Sequence, residues 1–416
     1  MHYDIIIIGM GLSGLMAAKT AVEMGKKVLI VGKGVGSLSL FSNTIDVLGS
    51  ISNKMTLIDI LSQWIKDHPK HPYAKVGLRE MDQALSSFTS LFPPPYSFQT
   101  IGDGNWLIPT GVGTLRPTYL IPSTMVPGSS LKEGNGLIIG FKGFKDFYAS
   151  WVAQQLKCRG FTLSLRDVFR QEITATALSR LIEKKGFRER MGREIRKHLK
   201  AETCVGLPAL LGMNDPCSVK KDLEELIGAQ VFEIPVLPPS IPGMRMFNRF
   251  KIWLIQRGVT FLLGYSVSKA ILEKRRCEGI EVLHPPISTS YSSDRYILAT
   301  GRFIGGGLKA NEEKIFEPIF NLPVFQPKSR EEWFQKSFLS DSPHPIHQAG
   351  ILTDPSFRAV DEKDEWILEN VWIAGSILSH HHWVDEKSRE GIEITTGYMA
   401  AKQALKYEAR GAGHAV

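Results

Sequence analysis

Cysteine is scarce in this sequence of 416 residues, which holds four. They are scattered, form no CxxC pair and have no histidine at ligand spacing, so we expect neither a disulfide framework nor a metal or iron–sulfur site within the chain. Long apolar runs are lacking too, and the apolar N-terminus carries Asp4 and a glycine-rich turn where a signal peptide would need a basic flank. We expect a folded protein of the reducing cytosol, with any membrane contact peripheral.

A strong excess of one charge is also absent. Lys and Arg number 50 against 42 Asp and Glu, a formal net charge of +8, which does not imply a nucleic-acid partner. The densest basic stretch, residues 184–200, interleaves glutamates at helical spacing. That spacing favours a solvated helix face over a docking patch for an anionic membrane or an acidic partner. A modest positive charge suits a phosphorylated substrate.

The N-terminus carries a complete strand–helix–strand pattern. Residues 3–8 (YDIIII) are a β-branched run with no polar face, typical of a central parallel strand buried on both sides. Apolar residues then recur at helical spacing over residues 13–23, and residues 27–31 (KVLIV) supply a second strand. The pattern predicts one compact βαβ unit.

Further along, strands and helices alternate. We predict helices over residues 50–95, strands and turns around a ligand mouth over 101–119, and α/β structure from 137 to 237. A helix over 244–257, strands over 259–263, 267–274, 279–283, 295–298 and 371–374, and a helix over 391–407 return the chain to the N-terminal sheet. The predicted fold is α/β, an FAD/NAD(P)-binding Rossmann-type flavoprotein fold with a second, smaller α/β domain inserted. Residues 1–50, 244–310 and 345–416 would form the flavin or dinucleotide domain and 51–243 the substrate or partner domain.

The strand-to-helix turn has the pattern G-x-G-x-x-G, with Gly9, Gly11 and Gly14. Gly9 permits the tight turn, Gly11 lets the backbone approach a pyrophosphate, and Gly14 lets helix and strand pack closely. The amide groups at the helix N-terminus would face the phosphate oxygens. The second strand ends at Gly32, where an acidic residue usually binds a ribose, and Lys33 follows as a phosphate ligand or a solvent-exposed residue.

Chain order distinguishes a flavin from a nicotinamide cofactor. The turn at Ala299-Thr300-Gly301 and a late strand ending at Gly375 are typical of flavoproteins whose first and last segments close one flavin site. The helix beginning near Gly391 would direct its amide groups at the flavin pyrimidine ring. These segments could also be a strand and a covering helix without a ligand.

Three consecutive histidines, residues 380–382, lie before that helix. Neighbouring side chains project in different directions, so three adjacent histidines rarely bind one ion. A loop histidine near the flavin is the preferred interpretation.

Several blocks in the middle of the chain are more specific than the glycine turn. They are GMGLSGL (9–15), FSNTIDVLG (41–49), HPYAKVG (71–77), PTGVGTLRPTYL (109–120), IIGFKGFKDF (138–147), VLPPSIPGMRM (236–246), ILATGRFIGGGL (297–308) and GILTDPSFRA (350–359). On these blocks the sequence resembles the B subunit of bacterial and archaeal anaerobic glycerol-3-phosphate dehydrogenase, a flavoprotein, over most of its length.

That resemblance implies a role in glycerol metabolism and anaerobic respiration. The family's complex has an A-type catalytic subunit, which oxidises sn-glycerol 3-phosphate to dihydroxyacetone phosphate, and a C-type Fe–S subunit, which anchors it to the membrane and passes electrons to quinone. The resemblance thus implies a cytoplasmic chain, peripheral to the inner face of the cell membrane through these partner subunits. The resemblance implies FMN, whereas the G-x-G-x-x-G turn favours FAD. The family's C-terminal flavin loop is glycine-rich, but residues 380–397 here carry charged residues.

Three hypotheses therefore remain open: the flavin subunit of such a complex, a flavin-poor structural subunit, or a stand-alone flavin dehydrogenase of another small hydroxy compound. Cofactor contacts are predicted at Gly9, Gly11, Gly14, Gly301, Gly375 and Gly391. Arg116, Arg245 and Arg302 are candidates for binding a small-molecule phosphate ester, because a guanidinium donates two parallel hydrogen bonds. Each of the three could equally be an ordinary surface arginine.

Overall fold

A computed structural model describes residues 1–51, 55–164, 172–340 and 342–407. The chain divides into two compact units. The first unit comprises Met1–Ser37, Ile58–Phe88 and Phe250–Val416, and the second unit comprises Leu38–Leu57 and Thr89–Arg249.

The elements are named in chain order. The strands are β1 His2–Tyr3, β2 Ile5–Ile8, β3 Val28–Gly32, β4 Phe98–Gln99, β5 Trp106–Pro109, β6 Leu115–Thr118, β7 Ile121–Pro122, β8 Gly136–Phe141, β9 Arg159–Leu163, β10 Cys204–Pro208, β11 Gln230–Ile234, β12 Thr260–Leu263, β13 Ser266–Glu273, β14 Arg276–His284, β15 Ile287–Ser293, β16 Tyr296–Leu298, β17 Lys309–Ala310, β18 Ile315–Phe316, β19 Val324–Phe325, β20 Gly350–Ile351 and β21 Val371–Ile373. The helices are α1 Leu12–Glu23, α2 Leu57–Asp67, α3 Pro72–Val76, α4 Leu78–Thr89, α5 Ala149–Gln155, α6 Ala175–Glu183, α7 Lys185–His198, α8 Pro216–Ile227, α9 Ile241–Ile255, α10 Trp383–Glu386 and α11 Arg389–Lys406.

A five-stranded parallel sheet lies at the centre of the first unit. Its order is β12-β3-β2-β16-β21, and every neighbouring pair is parallel. Ile5, Ile6 and Ile7 of β2 are fully buried, because this strand has neighbours on both edges and is covered on both faces. The predicted central position of the first strand is confirmed, as is the return of late segments to the N-terminal sheet.

A smaller sheet in the first unit has the order β1-β15-β14-β13. Strands β13, β14 and β15 form an antiparallel meander, and β15 pairs with β1 in parallel. Strands β13 and β14 were predicted from the sequence, whereas β15 was not.

The second unit has its own parallel sheet, with the order β11-β10-β8-β9. Its core comprises buried apolar residues of β8, β10 and β11 together with those of α5 to α8. The antiparallel pair β5 and β6 forms a hairpin within the predicted ligand mouth. The expected α/β character of this region is confirmed.

The two units divide the chain at points different from the predicted domain boundaries. Residues 58–88, predicted to belong to the insertion, are part of the first unit. In this unit the Tyr73 hydroxyl donates to the Ser388 carbonyl at 3.1 Å, and Lys19 donates to the Ser87 hydroxyl at 2.9 Å. Residues 52–54, 165–171 and 408–416 of the predicted domains lie outside the described residues. Which unit takes cofactor or substrate stays a prediction.

Candidate functional site

The turn between β2 and α1 requires glycine at two of its three predicted positions. Gly9 has φ +118°, and a Cβ there would lie 2.2 Å from the Ala299 carbonyl oxygen. A Cβ on Gly14 would lie 2.0 Å from the Gly9 carbonyl oxygen. Both distances are far below van der Waals contact, so these two glycines are explained by tight packing of the turn, the helix and the neighbouring strand.

Gly11 differs from its two neighbours in the motif. A Cβ at this position would meet nothing within 4 Å, so protein packing does not explain the glycine. Gly11 is the N-cap of α1, the cap has no side-chain hydrogen bond, and the first turn of the helix carries no acidic residue. The first amide groups of α1 and the positive end of its dipole therefore face an open cradle, which fits a phosphate group.

The absence of an acidic residue at the end of β3 has a structural cause. A Cβ on Gly32 would lie 2.8 Å from the Met10 side chain and 3.0 Å from the Met10 amide nitrogen. A longer side chain at this position would collide with the turn, and the following Lys33 is exposed. Gly36, which the sequence analysis missed, has φ +60°, and its Cβ would lie 2.9 Å from the Gly11 Cα.

Gly301 and Gly375 lie beside this turn. Gly301, with φ +71°, follows β16, and its nearest neighbour is the Ser376 hydroxyl at 3.5 Å from the Cβ position. Gly375, with φ +83°, follows β21, and a Cβ there would lie 2.3 Å from the Ser13 hydroxyl of α1. The structure thus brings the ends of β2, β16 and β21 together, where ligands bind to open parallel sheets.

Helix α11 begins two residues before Gly391, at Arg389, and its first turn carries Glu390. Gly391 itself is buried in this turn. A Cβ on Gly397 would lie 2.3 Å from the Ser13 carbonyl oxygen, so α11 crosses α1 closely. An isolated glycine inside a helical pattern is the sequence signal for this crossing.

Glu393 of α11 is a buried carboxyl group near the glycine turn. Its carboxyl accepts from the Ser37 hydroxyl at 3.5 Å, and its Cγ lies 3.9 Å from the Cβ position of Gly375. Burial raises the pKa of Glu393 to about 7, although the Arg389 charge acts to lower it. The sequence analysis did not select this residue.

Arg245 is not available as an anion ligand. Its Nη1 and Nη2 atoms both donate to the Glu233 carboxylate at 2.8 Å, and its Nε donates to the Gly212 carbonyl at 2.7 Å. Both side chains of the pair are buried. This corrects the prediction, because the two-pronged contact expected for a phosphate is made to Glu233.

Arg116 lies in the wall of a cavity of about 620 Å³ in the second unit. Its guanidinium forms an ion pair with the buried Asp46. The other lining residues are largely apolar, among them Phe41, Phe147 and Trp151. The cavity has the size and apolar character of small-molecule sites, and β5 and β6 contribute to it, in the region predicted as a ligand mouth.

Arg302, the third candidate, follows Gly301 in the first unit. It donates to the carbonyl oxygens of His347, Leu378 and His381 and contacts the His381 ring at 3.0 Å. The structure thus places it with one of the three consecutive histidines. His382 in turn contacts the ring of His347.

The histidines of this region lose basicity through burial. Desolvation lowers the pKa of His347 and of His380 to about 4, and it lowers that of His381 well below its usual range. Within the described residues, no group of three or more His, Cys, Asp or Glu side chains is arranged to hold a metal ion.

Comparison with known protein families agrees with a nucleotide site at the glycine turn. The profile described as "FAD binding domain" matches residues 4–392. The chain belongs to the FAD binding domain family. The match supports flavin binding, specifically of FAD, and the assignment to the flavin-dependent oxidoreductases.

Relatives in this family confirm the resemblance found in the sequence. The chain is 29% identical to the B subunit of anaerobic glycerol-3-phosphate dehydrogenase from Aliivibrio fischeri, covering 98% of this chain and 96% of the relative. It is 28% identical to the probable B subunit of the same enzyme from Halobacterium salinarum, covering 97% and 98%. Among solved structures, 3-ketosteroid Δ1-dehydrogenase from Sterolibacterium denitrificans aligns with a TM-score of 0.44 and 12% identity over 98% of this chain and 100% of that chain. That structural likeness is too distant to bear on function.

In the part of the chain that the structure describes, no helix is long and apolar enough to cross a membrane.

Proposed function

We propose that this chain is the FAD-bearing B subunit of an anaerobic glycerol-3-phosphate dehydrogenase. The observation that carries the proposal is the open cradle at Gly11, next to an uncapped helix N-terminus in a chain of the FAD binding domain family. The names of its full-length relatives supply the substrate, sn-glycerol 3-phosphate. Dihydroxyacetone phosphate is the product in this proposal.

The chain's own residues would bind and orient the cofactor. The first amide groups of α1 donate to the pyrophosphate, and Gly11 lets the backbone approach it without a side chain between them. In this proposal Gly301 and Gly375, after β16 and β21, lie beside the flavin body, and Gly391, in the first turn of α11, lies at its pyrimidine end. FAD, when bound, supplies hydride acceptance and one-electron transfer. FMN, which the sequence resemblance implied, is supported by no finding.

The names of the relatives, each a B subunit, support a multi-subunit assembly. We propose an A-type catalytic subunit and a C-type Fe–S subunit as partners, with electrons passing through the latter to quinone. The C-type subunit would hold this chain at the inner face of the cell membrane.

A flavin-poor structural subunit is the second candidate. Glu390 and Glu393 in the first turns of α11 are both buried, and two carboxyl groups in that position would oppose the negative end of a reduced flavin. This observation favours a chain that keeps the fold and supports a catalytic partner.

Purification of the full chain separates the two candidates. The visible spectrum should show a flavin band, and the pigment released by acid should migrate with FAD in chromatography. A colourless protein that stays colourless after incubation with FAD would instead support the structural role.

A further inference from the structure

Within the described parts of the chain, the guanidinium of Arg302 has no anionic partner. Its acceptors are three backbone carbonyl oxygens and the ring of His381. Nη2 lies 3.1 Å from the Leu378 oxygen, 3.2 Å from the His381 oxygen and 3.0 Å from the His381 ring nitrogen. Its contact to the third carbonyl, that of His347, is made by Nη1. Among the described residues, no carboxylate forms an ion pair with Arg302, although buried charges in proteins are normally paired.

The carboxylate with a charge interaction on Arg302, that of Glu386, already accepts hydrogen bonds from other groups. Glu386 exerts a favourable charge interaction on Arg302. Its oxygens accept from the Ser388 hydroxyl at 2.7 Å and from the His382 amide at 2.6 Å, and one contacts the His71 ring at 3.3 Å. Glu386 therefore stabilises its own loop and leaves the positive charge of Arg302 uncompensated at hydrogen-bond distance.

The surrounding histidines do not compensate that charge either. Burial holds the pKa of His347 at about 4 and lowers that of His381 and of His382, so these rings are neutral near pH 7. Burial also lowers the pKa of Arg302 to about 10, which still leaves the guanidinium protonated. The groups that contact Arg302 directly, the carbonyls of His347, Leu378 and His381 and the His381 ring, are therefore neutral.

Two polar atoms of the Arg302–His381 contact, Arg302 Nε and His381 Nδ1, are buried and have no hydrogen-bond partner in the described chain. Such atoms are costly unless a ligand or water satisfies them. Arg302 as a residue is of intermediate exposure, although its Nε atom is buried. His381 also contacts the Ser376 carbonyl at 3.3 Å, which connects the cluster to the ends of β16 and β21.

We propose that Arg302, with His381, binds a small oxyanion, and that this anion is the phosphate group of a phosphate monoester. A guanidinium presents a planar fork of donors that matches phosphate oxygens. A phosphate dianion would supply the negative partner that Arg302 lacks. A slight movement of the side chain would bring Nε within hydrogen-bond distance of a phosphate oxygen. The choice of a monoester rests on the proposed function, whereas the anion site rests on the cluster.

The site is tested by calorimetric titration of the flavin-loaded full chain with inorganic phosphate, sn-glycerol 3-phosphate, glycerol and malonate. We expect both phosphates to bind, glycerol not to bind and malonate to bind more weakly than either phosphate. Arg302→Gln should weaken phosphate binding at least tenfold. The matched control Arg257→Gln removes an exposed arginine that stacks on Trp253 at 3.8 Å and should leave phosphate binding unchanged.

A second measurement uses the unmutated chain, so that it holds even if Arg302→Gln fails to fold. Phosphate should protect Arg302 against modification by phenylglyoxal, as measured by mass spectrometry of the Arg302 peptide, and should not protect Arg257. Equal modification of Arg302 with and without saturating phosphate overturns the proposal, as does malonate binding without phosphate binding.

The two proposals fail separately. A chain that holds FAD but binds neither phosphate nor sn-glycerol 3-phosphate overturns the anion site and leaves the flavin function standing. A colourless chain whose phosphate binding is lost in Arg302→Gln supports the anion site and contradicts the flavin function.

Discussion

Arg245 and Glu233 form a deeply buried ion pair, with side-chain exposures of 4% and 0%. Burial acts to raise the pKa of Glu233, but the charge and hydrogen bonds of Arg245, the Leu211 amide and the Thr124 hydroxyl outweigh it, and the pKa lies below its usual range. Each buried charge of the pair is therefore stabilised by the other.

Removing one member should therefore be costly. Arg245→Met leaves Glu233 charged and buried, and we expect the free energy of unfolding to fall by about 3–5 kcal/mol, as measured by urea denaturation. The control Lys145→Met breaks an exposed pair with Glu172 and should cause no measurable change. A loss in Arg245→Met as small as the control's would show that Glu233 is not held as a charged group.

Glu393 predicts a specific dependence of stability on pH. Its pKa is about 7 in the folded chain, raised by burial from a usual value of 4.5, so between these values the folded state binds more protons than the unfolded state. Stability from this group is therefore full below pH 4.5 and is lost as the pH rises through 7. The loss totals about 3 kcal/mol, since each pKa unit is worth about 1.4 kcal/mol.

Glu393→Gln should remove this dependence. In urea denaturation between pH 5 and 8, the variant should gain stability relative to the unmutated chain as the pH rises. A constant difference between the two over that range would mean that Glu393 ionises normally in the folded chain.

At the scale of elements, two glycines allow helix α1 to pack closely on its neighbours: Gly14 against the turn after β2, and Gly397 at the crossing of α11 with α1. A Cβ on Gly14 or on Gly397 would lie within 2.0–2.3 Å of a backbone carbonyl oxygen. We expect Gly14→Ala and Gly397→Ala each to lower the free energy of unfolding by about 1–3 kcal/mol, because overpacking forces the backbones apart. Thermal denaturation would measure it.

Gly186 of α7 is the matched control for this pair, because a Cβ there would meet nothing within 4 Å. Gly186→Ala should raise stability by about 0.5–1 kcal/mol through helix propensity. Equal effects at all three positions would show that helix propensity rather than close packing governs the effect of these substitutions.

Local patterns predicted the elements that position the site. The isoleucine run of β2, the helical spacing of α1 and the apolar run of β3 each lie within a few consecutive residues, so the sequence alone indicated their type and their order. Strand β15 was missed because its sequence, ISTSYSS, is mostly polar, with only Tyr291 and Ser293 buried. Its pairing with β1 joins residues far apart in the chain.

Contacts between residues far apart in the chain explain the features that the sequence alone did not predict. The sequence analysis treated Gly32 as a missing ribose ligand, whereas the structure explains it by the contact with Met10. Arg245 looked like a free guanidinium because its partner Glu233 lies on another element. Residues 58–88 looked like an insertion because their helical pattern carries no sign of the partners they have in the first unit.

For the whole molecule, the proposed function predicts an assembly. A tagged copy of the chain, isolated from its native cells under anaerobic conditions, should bring with it an A-type subunit and a C-type Fe–S subunit, detected by mass spectrometry and by iron content. Isolation of the chain without either partner, from cells that express both, would contradict the assignment to a complex.

The central claim is that the backbone at Gly11 contacts the pyrophosphate of FAD, and flavin content tests it most directly. Acid release and chromatography should yield stoichiometric FAD from the unmutated chain and little from Gly11→Val, while the cofactor-free variant still unfolds cooperatively, because a Cβ at this position enters open space. Equal FAD content in both proteins, or no flavin from the unmutated chain, would contradict the account.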